Sequence, residues 1–109
     1  MYKSGEITSS SRRLITARAD YYTSDESILV FLDMPGVFRD DVNIRLENRM
    51  LHVEGPHSKD GSITYRRTIS VNDSFDASKT QASVDRGVVR LEIPKKPEAK
   101  PVRIAVNPA

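Results

Sequence analysis

The stretch "QASVDRGVVRLEIPK", residues 81–95, decides how this chain reads. Two runs of alternating side chains, "QASVD" and "VVRLEIP", flank Arg86-Gly87, where glycine lets the backbone reverse through a left-handed turn. Pro94 cannot donate to a ladder and ends the second run. The pattern predicts a β-hairpin. The same period of two recurs upstream, the mark of half-buried strands. "SILVFLDM" (27–34) puts Ile28, Val30, Leu32 and Met34 on one face and Leu29 and Phe31 on the other, and Pro35-Gly36 stops it. "DVNIRLE" (41–47) turns Val42, Ile44 and Leu46 one way and Asn43, Arg45 and Glu47 the other. Asn48-Arg49 predicts a tight turn into "MLHVEG" (50–55), where Leu51 and Val53 point together.

After the polar loop "PHSKDGS" (56–62), "ITYRRTISV" (63–71) alternates through Ile63, Tyr65, Arg67, Ile69 and Val71. "NDSFDASKT" (72–80) is turn-rich, with a helical turn capped by Asp76. "ARADYYTSD" (17–25) reads as the first strand. Every element is a strand, and the spacing is that of an all-β, antiparallel, immunoglobulin-like sandwich. Residues 1–17 are Ser/Thr-rich and polar, a short flexible arm with only Tyr2, Ile7, Leu14 and Ile15 to pack. Residues 18–95 form the sandwich, and 96–109 a C-terminal extension.

The 109 residues fit one domain, and a 38% hydrophobic fraction supports one modest core. Seventeen basic against 15 acidic residues leave a formal charge of +2, too small an excess for a phosphate-gripping stripe, so no nucleic acid partner is expected. With no cysteine there is no disulfide framework or thiol chemistry. "MYKSGEITSSSRRLITARAD" lacks the apolar stretch of a signal peptide, and no run is long enough for a membrane helix. A cytoplasmic protein without a membrane partner is expected.

Catalytic patterns are missing. The glycines form neither a phosphate loop nor a dinucleotide fingerprint. His52 beside Glu54, and His57 near Ser58 and Asp60, fall short of the convergent ligands a metal needs. Asp25-Glu26 and Asp40-Asp41 sit in turns, where carboxylates stay solvated, and Ser9 to Ser11 have no base beside them. No catalytic residue, metal or cofactor is expected. One feature stands apart: Ile104-Ala105-Val106 is an apolar triplet in the tail "KKPEAKPVRIAVNPA" (95–109), which is otherwise charged and proline-rich.

Four segments in order resemble the small heat-shock proteins. "FLDMPGV" with "DDVNIRLENRMLHVEG", "YRRTISV", and "ASVDRGVVRLEIPK" are similar to successive motifs of the α-crystallin domain, and Ile104-x-Val106 is similar to that family's tail motif. The resemblance covers residues 18 to 106. It implies an ATP-independent holdase that binds partly unfolded client proteins, keeps them from aggregating and assembles into dynamic homo-oligomers. It implies that Ile104 and Val106 dock into a groove of another copy, lined by Ile44 and Leu46 on one strand and Thr80, Ala82 and Val84 on the other. Extended-chain geometry supports this, since residues two apart share a face and an edge strand can accept one more strand. The linker from Lys95 to Arg103 is expected to span about 30 Å.

Tyr65 and Arg67 fall where the resemblance implies a dimer interface, with Arg67 in an interface or inter-sheet ion pair. Leu14 and Ile15 of the arm are expected to touch clients. The 56–62 loop is short for the strand exchange of bacterial and plant relatives, so either the Tyr65 strand pairs with its twin or the dimer is weak. The short arm implies smaller assemblies and narrower client capture. Two other readings remain: a monomeric CS-type co-chaperone adaptor, and a structural accessory subunit of a larger assembly.

Overall fold

The computed structural model describes residues 13–99 and 101–108. Among them, eight strands form two four-stranded sheets: β1 (Arg13–Thr16), β2 (Ala19–Thr23), β3 (Ser27–Asp33), β4 (Asn43–Glu47), β5 (Met50–Pro56), β6 (Ile63–Ser70), β7 (Gln81–Asp85) and β8 (Val88–Pro94). One sheet has the order β1-β6-β5-β4 and the other β2-β3-β8-β7. Among the described residues no helix is long and apolar enough to cross a membrane.

The core follows from in-phase alternation. In the β3–β8 register Val30 lies opposite Leu91, Leu32 opposite Val89 and Ile28 opposite Ile93. Every one of these except the half-buried Ile28 is fully buried. Leu51, Val53 and Ile69 supply the facing layer from β5 and β6, and Met34, Val71 and Phe75 close the ends. Each such side chain stabilises the sandwich by about 1.5–3 kcal/mol. The turns have the expected chemistry. Asn48 and Arg49 take φ of 52° and 60°, and Arg86 and Gly87 take 51° and 78°, the paired left-handed conformations of a two-residue hairpin turn. Asp76 caps the 3-10 turn Ala77–Lys79 by accepting the Ser78 amide.

Three expectations are corrected. The first strand of the second sheet is shorter than 17–25, spanning Ala19–Thr23. The arm expected over residues 1–17 is strand from Arg13, because Leu14, Ile15 and Thr16 find the otherwise open edge of β6; residues 1–12, with Tyr2 and Ile7, lie outside the described residues. That pairing is parallel, Ile15 opposite Tyr65, so one contact departs from the all-antiparallel pattern. The chain leaves β1 for the other sheet within two residues, and the buried Ala17 forms the crossing.

Candidate functional site

The site is a slot at the rim of the sandwich. β4 ends one sheet and β7 ends the other. The 3-10 turn Arg39–Asp41, which leads into β4, packs on β7, so both edges lie on the same side. On β7, Ala82 lies opposite the buried Leu91 and Val84 opposite the buried Val89. Cross-strand partners share a face, so both turn inward toward β4. On β4, Ile44 lies opposite Val53 and Leu46 opposite Leu51, again inward. Ile44 and Val84 pack partly on the core, whereas Leu46 remains 43% exposed and Ala82 is exposed. The Thr80 hydroxyl donates to the Ala77 carbonyl at 2.7 Å, so its polar atom is already partnered. Ile44 and Leu46 on one edge strand, and Ala82 and Val84 on the other, thus turn toward the same side of the sandwich.

Each end of the slot opens into a depression. Leu46, Val71, Phe75, Asp76 and Ala77 line one of about 200 Å³, and Phe38, Arg39, Asp40, Asp41 and Val84 line the other. Phe38, 64% exposed, Phe75 and Ala77 were outside the sequence reading. A phenylalanine in the charged turn "VFRDD" was the one available signal. Asp76 is held below the usual carboxylate range, first by the Ser78 hydroxyl it accepts and also by nearby Lys79 and Lys96.

The tail carries the complementary groups. Val102, Ile104 and Val106 are 77%, 82% and 95% exposed. The Lys95 amide donates to Glu26 and the Lys96 amide to Ser74, so the tether begins at Lys96, beside the Leu46 depression. The 3-10 turn Pro97–Ala99 winds in part of the linker, so the reach to Ile104 is nearer about 20 Å than about 30 Å.

The expected dimer residues are placed differently. Arg67 has the inward parity of Tyr65 and Ile69 and donates to the Ala17 carbonyl at 3.0 Å, at the crossing between the sheets. Tyr65 packs against the core. The edge of β6 through which twin strands would pair is occupied by β1. Of the two arm residues, Leu14 is about half exposed, while Ile15 shares the inward parity of Tyr65 and is half-buried.

A family model described as "Hsp20/alpha crystallin family" matches residues 20–107. A probable 15 kDa heat shock protein of Leptospira interrogans is 32% identical over 104 residues, covering 84% of this chain and 80% of that protein. A probable Hsp20 family chaperone of onion yellows phytoplasma is 26% identical, over 92% of this chain and 80% of that protein. Among solved structures, a small heat-shock protein of Xylella fastidiosa superposes with a TM-score of 0.65 at 25% identity, covering 84% of this chain and 96% of that one.

Proposed function

We propose, from the premise that this chain belongs to the Hsp20/alpha crystallin family, that it is a holdase whose own tail guards its client-binding slot. Family members are chaperones that act without ATP, not enzymes, and the chain has that general role. The finer reading rests on one juxtaposition: an open apolar slot at Leu46, Ala82 and Val84, and an exposed Ile104-x-Val106 segment on a tether.

Burying Ile104 and Val106 contributes about 3–6 kcal/mol gross. Ordering the tail and losing subunit freedom offset much of it. A single docked tail therefore holds at about millimolar strength, and several tails in one assembly gain from effective concentration. Such an assembly forms readily and exchanges subunits. Each release of a tail uncovers the slot for an apolar segment of a partly unfolded protein, and Leu14 adds exposed apolar area on the opposite edge.

Light scattering of the intact chain against Ile104→Ala/Val106→Ala tests this, alongside suppression of aggregation of a heat-labile client. The double variant is expected to fall to dimers or smaller while its circular dichroism is unchanged. An unaltered particle mass would remove the tail from the mechanism, and a monomeric intact chain would favour the adaptor reading.

A further inference from the structure

The tail has three exposed apolar residues in register, where the motif counts two. Val102, Ile104 and Val106 alternate with Arg103 and Ala105, so all three share one face of an extended strand. Pro101 and Pro108 bracket them, and neither can donate to a ladder, which sets the limits of any added strand. The slot also has three stations. Ile44 and Leu46 of β4, with Val42 extended just before it, alternate along one wall, and Ala82 and Val84 of β7, with Thr80 extended just before it, along the other. Each set, like Val102 to Val106, spans about 13 Å. Two anchors would leave one end of the slot uncovered.

Charge fixes the direction. The Phe38 end carries Arg39 against Asp40 and Asp41, while neighbouring Asp85 and Arg86 offset one another. The Leu46 end carries Arg49, Lys79 and Lys96 against Asp73 and Asp76, while neighbouring Glu47 lies on the opposite face, paired with Arg45. Arg103, next to Val102, is therefore attracted to the Phe38 end and repelled from the other. We propose that Val102 is a third anchor of the docking segment, seated at the Phe38–Val84 end with Val106 at the Leu46–Phe75 end, the tail running antiparallel to β7.

The direction also selects the donor. Lys96 lies at the Leu46 end of its own slot. To reach Val102, residues 97–101 reach about 16 Å, and running the slot's length would consume most of that before the chain could reverse. A tail from a second copy has no such constraint and enters at the Phe38 end. This inference rests on the tail-docking reading above.

Dilution series of the full chain by size-exclusion light scattering test it. Val102→Ala is expected to raise the half-dissociation concentration about tenfold, with circular dichroism unchanged because Val102 is exposed. Val102→Thr, the same shape with a hydroxyl, is expected to lose most of the same share. Arg103→Glu is expected to weaken assembly and Asp40→Lys/Asp41→Lys to restore it in that background. A wild-type dilution curve for Val102→Ala, beside a dissociated Ile104→Ala/Val106→Ala, would overturn the third anchor and leave tail docking intact. Failure of the charge exchange to restore assembly would overturn the direction. Assembly persisting in Ile104→Ala/Val106→Ala would overturn docking itself.

Discussion

The two edges of the β1-β6-β5-β4 sheet are treated in opposite ways. At one, β6 would expose a full row of amides and carbonyls, but the four-residue β1 lies along it, with the Arg13 and Ala17 amides bonded to the Ser62 and Arg66 carbonyls at 2.6 and 2.9 Å. At the other, β4 ends the sheet uncovered, facing β7 across an apolar slot. An exposed edge is a template for another chain, so covering one and leaving the other open directs strand addition on this sheet to its β4 edge. The difference lies in what backs each edge. β6 is backed by Tyr65 and Ile69 packed into the interior, and β4 by Leu46, which the interior leaves half outside.

The largest expected effect lies in the facing sheet, behind the slot. Leu91→Ala, in the fully buried layer opposite Ala82, removes core volume and is expected to cost about 2–5 kcal/mol of stability. Urea unfolding measures it, and the slot should fail with the fold. A loss no larger than that of an exposed-site control would mean that the rim does not depend on the core behind it. Next is the covered edge. Ile15→Pro removes the amide between the two bonded ones and should detach β1. In the Ile104→Ala/Val106→Ala background, sedimentation is then expected to show new self-association through β6. If the particles stay as small as before, β1 is not what guards that edge. The smallest effect concerns the turn at the slot's end. Asp76 has a lowered folded-state pKa, set first by the Ser78 hydroxyl. Its contribution is therefore present above the ordinary carboxylate range, near pH 4, and fades as pH falls below it. Asp76→Asn, which keeps a cap but not the charge, is expected to flatten that acid limb of stability slightly, read by thermal melts across pH. An unchanged limb would assign the acid sensitivity elsewhere.

Legibility in the sequence tracked how local the determining contacts were. β3, β5 and β8 were readable because alternation and punctuating turns lie within each strand, whereas Ile44, Leu46, Ala82 and Val84 were expected as slot walls through the resemblance to the small heat-shock proteins, parity adding only which way they face. β1 was not. "RLIT" carries no alternation long enough to read, and its partner Tyr65 is far along the chain. The resemblance implied an ion pair for Arg67, and its hydrogen bond to the Ala17 carbonyl was not legible because a backbone acceptor leaves no mark in a sequence. Thr64 alternates out of phase with Ile63 and Tyr65, yet it is buried, with Leu14 of β1 and Pro56 of β5 on either side across the ladders. The depressions that lengthen the slot needed Phe38 and Phe75 to be brought to it by turns, which local pattern does not encode.

The corner after β3 carries a further constraint. Gly36 has φ of +83°, the His57 ring lies over it so closely that a Cβ would sit 2.3 Å from Nε2, and the Ser58 amide donates to the Gly36 carbonyl at 2.7 Å. Glycine and imidazole here are one choice rather than two. A descendant that gave up the glycine would have to surrender the ring as well, and would still carry a left-handed backbone. The 56–62 loop is therefore latched to its own body at Gly36, and any exchange of that loop between copies would first have to open the latch.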